Sequence, residues 1–171
     1  MEKINYYLIS YKNIQELIKF IDQKIAAVII VNGIEIKIFY DLTKNLNINL
    51  FSKSIGSIFT FIIGLIFLGL VFSILYVSIF KILKPRYAEN YNQNQYSSFY
   101  FEHISNNTKE QLFENVDNLN NNIQLKEISD QLYEISGILL AKTKNCSIVM
   151  KLLFISILTL FIFGFITKFI I

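Results

Sequence analysis

Few residues in this chain are equipped for bond-making chemistry. His103 is the only histidine and Cys146 the only cysteine. Glu102 stands beside His103, but sequence neighbours point to different sides of a helix or a strand, so the two form no acid–base pair. No Ser–His–Asp set, no glycine-rich phosphate loop after a strand and no metal-ligand spacing occurs in the sequence. One cysteine can neither close an intramolecular disulfide nor build a zinc cluster. The reading is of a chain with no catalytic residues, no metal site and no cofactor, hence not an enzyme, with His103 an ordinary structural histidine. The polar residues that invite attention are Asp22, Lys24, Asn32, Glu35 and Lys37, in or beside the apolar stretch AAVIIV. Polar groups in such surroundings are expensive and tend to mark pathways or contacts. Glu35 and Lys37 are two apart, on different helix faces, and so are poor partners for each other. Both could sit at outer headgroups, or they could line a pore or an inter-subunit contact.

The elements that position these residues are membrane spans. Ile55–Phe80 reads IGSIFTFIIGLIFLGLVFSILYVSIF, without a charge, and stops at Lys81, Lys84 and Arg86. At ~1.5 Å per residue it makes a helix of roughly 39 Å, enough to cross a hydrocarbon core of about 30 Å with some tilt. A second run, Ser147–Ile171, has a strictly uncharged centre, Leu152–Thr167, with Lys151 and Lys168 at its edges. Their ammonium groups can snorkel to the headgroups. Within Gly56, Thr60 and Gly64 small residues recur every four positions, a spacing that lets helices approach closely.

Orientation brings in a further span. Between Ile21 and Leu42 only Ile25–Ile34 is free of charge, which is short for an independent crossing. Lys3, Lys12, Lys19 and Lys24 precede it, and the connector 41–54 carries only Lys44 and Lys53. Lys81, Lys84 and Arg86 open the next polar segment, and Lys142, Lys144 and Lys151 close it. The excess of Lys and Arg on cytoplasmic loops puts both the N-terminus and the 81–145 segment in the cytoplasm. They share a side only if 21–42 crosses the bilayer, leaving the C-terminus outside.

Composition agrees with a small multi-pass protein. Of 171 residues, 53% are hydrophobic, 15% aromatic and only 17% charged, against about 25% charged in soluble domains. Mean hydropathy is +0.45. The net charge of +3 is too small and too evenly spread to suggest nucleic acid. The first twenty residues lack the basic region, continuous apolar core and cleavage site of a cleavable signal peptide.

The expected fold is an all-α membrane protein with three transmembrane helices, and a small helical cytoplasmic segment between the second and third. Its parts are an amphipathic N-terminal helix (1–20), spans at 21–42, 55–80 and 147–171, and the cytoplasmic segment at 81–146. In the first helix Ile4, Leu8, Tyr11, Ile14, Leu17, Ile18 and Ile21 form an apolar stripe. It packs on the rest of the protein or lies in the membrane surface. The cytoplasmic segment begins with a break at Pro85 and the polar stretch AENYNQNQY, then an aromatic run, SSFYFEHIS. Thr108 with Gln111 predicts a capping box opening a short helix with Leu112, Phe113 and Val116 on one face. Leu125, Ile128, Leu132, Ile135 and Leu139 alternate steps of three and four, a seam for helix–helix or subunit packing. No strong breaker separates this seam from the last span, so one long helix from about Gln124 onward is expected.

Three segments in this order resemble the transmembrane effector family of Pycsar anti-phage systems. FIDQKIAAVIIVNG (20–33) is similar to the Asp-x-Lys-Ala-type opening of that family's first span, with Ile25 in place of Ala. SSFYFEHIS (97–105) is similar to its aromatic segment, with Glu102 in place of Gly. DQLYEISGILLAKTKNCSIVMKLL (130–153) resembles its Gln-Leu-Tyr helix entering the last span. The resemblance covers about residues 14–171. It implies an effector of the cell inner membrane that binds a cyclic pyrimidine nucleotide, cyclic CMP or cyclic UMP, made by a partner uridylate or cytidylate cyclase. It further implies that the bound effector impairs membrane integrity, as a homo-oligomer, so that infection aborts. An anionic nucleotide calls for cations and an aromatic face for its base. On this resemblance the nucleotide-binding candidates are Lys24, Phe101, His103, Tyr133 and Lys142, with Asp22, Asn32, Glu35 and Lys37 as membrane or gating candidates. Two other readings stand beside it: a membrane scaffold recruiting a partner through the Leu125–Leu139 seam, and a ligand-independent holin-like pore.

Overall fold

The computed structural model describes residues 2–44, 55–85, 104–118 and 120–169. Among them every regular element is helical. The order is α1 (Glu2–Thr43), α2 (Ile55–Tyr76), a π-helical stretch (Val77–Leu83), α3 (Lys109–Asp117) and α4 (Asn121–Phe169). The chain divides into two compact units. One comprises residues 1–20 and 85–141, the other residues 21–84 and 142–171.

In the first unit, α3 opens as its sequence predicts. The Thr108 hydroxyl accepts from the Gln111 backbone N–H at 3.3 Å, and the Gln111 side chain accepts from the Thr108 N–H at 3.0 Å. This satisfies two donors that a helix start otherwise leaves unpaired. The helix buries little: Phe113 and Val116, expected on an inward face, are exposed. At the start of α4, Asn120 Oδ1 accepts from the N–H groups of Asn122 and Ile123 at 3.1 and 2.9 Å, a side-chain cap. The seam residues Leu125, Ile128, Leu132, Ile135 and Leu139 are all buried or half-buried. In α1 the inward stripe differs from the expected one. Ile4, Tyr7, Tyr11, Ile14 and Ile18 are half-buried, whereas Leu8 and Leu17 are exposed. A seam alternating steps of three and four selects Tyr7 over Leu8 and passes over Leu17. Apolar character alone does not separate neighbours on one broad face.

The second unit packs α1 from Ile21, α2 with its π-helical stretch, and α4 from Lys142. The seven-residue repeat persists in both long helices. Ile21, Ile25, Val28, Asn32, Glu35, Phe39 and Leu42 face inward from α1, and Lys142, Cys146, Val149, Leu153, Ser156, Leu160 and Phe163 from α4. Contacts fix the directions. Asp22 pairs with Lys142, Glu35 with Ser156, and Leu42 approaches Gly164. Partner numbers rise together, so α1 and α4 run parallel, nearly in register. Asn32 meets Val71, and Phe39 meets Phe67 and Gly64. Here the numbers fall as α1 rises, so α2 is antiparallel to α1.

Buried apolar residues run the length of the bundle, among them Ile25, Val28, Ile74, Ile82 and Val149, and two clusters lie toward the Leu42 end. Ile63, Phe163 and Ile166 form one cluster and Phe67, Val71 and Leu160 another, with Phe39 and Leu42 packed on both. The Phe39 ring centroid lies 4.8 Å from that of Phe67 and 4.9 Å from that of Phe163, spacings typical of favourable aromatic pairs. Gly64 makes room for them: a Cβ there would come within 3.4 Å of the Phe163 ring and 3.5 Å of the Phe39 ring. Thr60, one turn away, is fully buried and donates to its own Gly56 carbonyl at 2.9 Å.

Among the described residues two helices are long and apolar enough to cross a membrane, Gly56–Leu83 with 28 residues and Asn121–Lys168 with 48. The second is one unbroken helix, as the missing breaker predicted. α1 is not among them, because charges flank and interrupt its apolar stretch. The helix runs past the end of the apolar run at Phe80 to Leu83, π-helical from Val77, with the Lys84 N–H donating to the Ile79 carbonyl at 3.0 Å. It stops there because Lys84 precedes Pro85, which disfavours helical backbone in the residue before it. Lys84 is accordingly extended, with ψ at 128°.

Candidate functional site

Polar side chains are threaded along the inward faces of α1, α2 and α4 in the second unit. At one end, Lys142 Nζ donates to Asp22 Oδ1 at 2.6 Å. Lys142 is 6% exposed; the Asp22 side chain keeps 35% of its surface. Lys142 is buried because it occupies a seam position of α4, the one after Leu139. A cation placed there is tolerated only with a close carboxylate, since a buried charge costs several kcal/mol when unpaired, roughly 3–5 when its partner is removed.

Further along, Asn32 is fully buried and its Nδ2 donates to the Val71 carbonyl of α2 at 3.3 Å, while its Oδ1 has no partner. One helical turn on, Glu35 is 4% exposed and both its carboxylate oxygens lie 3.0 Å from the Ser156 hydroxyl, whose single proton they share. Ser156 Oγ also lies 2.8 Å from the Leu153 carbonyl. In α2's π-helical stretch, Ser78 is fully buried and its Oγ has no partner. Lys37 is exposed, on a different face from Glu35, as their spacing requires.

The sequence candidates therefore separate. Asp22 and Lys142 meet in an ion pair that joins α1 to α4. Asn32 and Glu35 share the interior stripe of α1 and reach α2 and α4 respectively. Lys24 is exposed on α1. Tyr133, in the other unit, is 73% exposed. Phe101 and His103 lie outside the described residues. Ser156 was missed, although extending the Leu125–Leu139 seam by sevens through the apolar run lands on it. Among the described residues no group of three His, Cys, Asp or Glu side chains could hold a metal.

Chemically, this is a set of fixed acceptors and one paired cation inside an apolar bundle. It can hold a helix register or compensate an anion at Lys142.

Comparison with known proteins agrees with the order of segments. A family model described as the Pycsar effector protein domain matches residues 6–168. A curated protein from Treponema porcinum, described as Pycsar effector protein TpPycTM, is 36% identical over 87 residues, which cover 51% of this chain and 76% of that protein. No solved structure matches.

Proposed function

The chain belongs to the Pycsar effector protein family, and from that premise we propose that it is an antiphage defence effector gated by a cyclic pyrimidine nucleotide. The nucleotide, cyclic CMP or cyclic UMP, comes from a partner cyclase; on binding it, the effector impairs the inner membrane and infection aborts. The observation that carries the role is the family match across nearly the whole chain.

Packing supports the membrane arrangement. If α2 and α4 cross the bilayer in opposite directions, α1 lies at the same depth, because it packs parallel to α4 and antiparallel to α2 over some twenty residues from Asp22 to Leu42. A segment too polar to insert alone can cross when its polar groups face neighbouring helices, and Asn32 and Glu35 do so. Our reading is therefore of three spans, near 21–42, 55–80 and 147–171, and the lysine distribution argues for an N-terminus in the cytoplasm. The Asp22–Lys142 pair then sits at the cytoplasmic end of the bundle.

The pair suggests how a ligand acts. A nucleotide phosphate that takes the Lys142 ammonium displaces Asp22 and replaces the tie between α1 and α4 with contacts of its own, which drive the change. A ligand shifts a conformational equilibrium only through such differential contacts. Lys24, in the same unit, remains a proposed companion for the phosphate.

Cells provide the test. The chain alone should leave growth unaffected, and a cyclase making cyclic CMP or cyclic UMP should arrest cells that carry it. Lys142→Met should reach the membrane and blunt the response. Growth indifferent to every cyclic nucleotide contradicts the proposal, and arrest without any nucleotide indicates a ligand-independent pore.

A further inference from the structure

An apolar groove of about 650 Å³ runs along the outer surface where α1 and α4 meet in the second unit. Val31, Ile34 and Ile38 form one wall and Leu160, Phe161 and Phe165 the other. Two charged residues line it: Glu35, one turn in from Val31 with its carboxylate held by Ser156, and Lys168, exposed near the end of α4. From Ile157 to Lys168 the wall of α4 measures about 16 Å at ~1.5 Å per residue, roughly half of an about 30 Å hydrocarbon core. On the three-span reading, on which this inference rests, Lys168 lies at the outer headgroup level and the groove descends to mid-bilayer.

We propose that the groove is a binding site for one anionic phospholipid of the outer leaflet, its acyl chain along the apolar walls and its phosphate on the Lys168 ammonium. Three features select this occupant. The groove is as long as a single leaflet is deep. Its walls are aliphatic and aromatic over that depth. Its single cation stands where a lipid phosphate lies. A helix from a second copy would need no ammonium at that level and would not be limited to one leaflet. The bound chain covers the α1–α4 seam over Glu35, so the lipid holds together the two helices that the Asp22–Lys142 pair ties at the other end.

The chain contains no tryptophan, so one introduced indole reports its own surroundings. The full chain carrying Phe161→Trp, in the groove, is reconstituted in vesicles of phosphatidylcholine with a minor fraction of phosphatidylglycerol, with bromine on the chains of one lipid or the other. Phe72→Trp, exposed on α2 away from the groove, is the control. Brominated phosphatidylglycerol should reach Phe161→Trp at about fivefold its bulk share, the factor expected for one lysine at an anionic surface. It should show no enrichment at Phe72→Trp. Lys168→Gln should remove the enrichment while brominated phosphatidylcholine still quenches. Quenching of Phe161→Trp in simple proportion to bulk composition overturns the site, leaving ordinary lipid contact. Shielding of Phe161→Trp from both lipids while Phe72→Trp is quenched overturns it in favour of a second copy in the groove. No quenching at either position defeats the membrane reading itself.

Discussion

Lys142 and Asp22 differ in what they lose when separated. The ammonium is buried and the carboxylate is partly wet, so removing Asp22 strands a charge away from water, whereas removing Lys142 lets Asp22 hydrate. Asp22→Asn should therefore destabilise the protein in detergent by several kcal/mol, up to about 3–5, while Lys142→Met should cost far less. The double variant should resemble Lys142→Met, and thermal unfolding followed by circular dichroism measures all three. Equal losses in the two single variants would mean that the pair is solvated in solution. At Glu35 the expected asymmetry runs the same way: Ser156→Ala leaves a buried carboxylate without its donor and should cost about 1–3 kcal/mol. Glu35→Gln keeps a hydrogen-bonding side chain opposite Ser156 and should cost less than Ser156→Ala. Four of these polar residues were legible in the sequence, because a charge or amide beside an apolar run is conspicuous. The pairings were not. A serine in a helix can bond its own backbone, so Ser156 looks inert until the fold places Glu35 opposite, and Lys142 reads as a free cation until Asp22 arrives from 120 residues away.

The elements carry a shared pattern. The same alternation of threes and fours marks inward positions from Ile4 to Leu42 in α1 and from Leu125 to Phe163 in α4. Asn32, Glu35, Lys142 and Ser156 are its polar exceptions. In parallel helices a polar residue at such a position selects register at some loss of stability. The long last helix and the capping box were readable because each rests on local rules: no breaker in one, a four-residue motif in the other. The inward edge of the first helix was not, since Tyr7 and Leu8 are both apolar and only packing chooses between them. The π-helical end of α2 was equally hidden, since no local motif announces a fully buried Ser78. The close approach at Gly64 yields the sharpest expectation for α2. Gly64→Leu drives a side chain between the Phe39 and Phe163 rings and should cost about 1–3 kcal/mol through overpacking. Gly69→Leu, where nothing lies within 4 Å of a Cβ, should be well tolerated. Similar thermal stability for both would show that the aromatic cluster does not close on α2.

For the whole molecule, topology is the first condition. On a Cys146→Ser background, an impermeant thiol reagent outside the cell should label Asn47→Cys and miss Asn118→Cys. The reverse pattern would invert the orientation drawn from the lysines, and labelling of neither would place both segments inside. The function proposed for this Pycsar family member requires more: a ligand must convert a closed bundle into one that breaches the bilayer. The most direct measurement is dye release from vesicles of bacterial-type lipid that hold the purified full chain and a self-quenched dye. Cyclic CMP or cyclic UMP should release the dye while cyclic AMP leaves it trapped, and Lys142→Met should blunt the response. Release that is constant whatever nucleotide is added, or no release with either cyclic pyrimidine nucleotide, would contradict the gated-effector account.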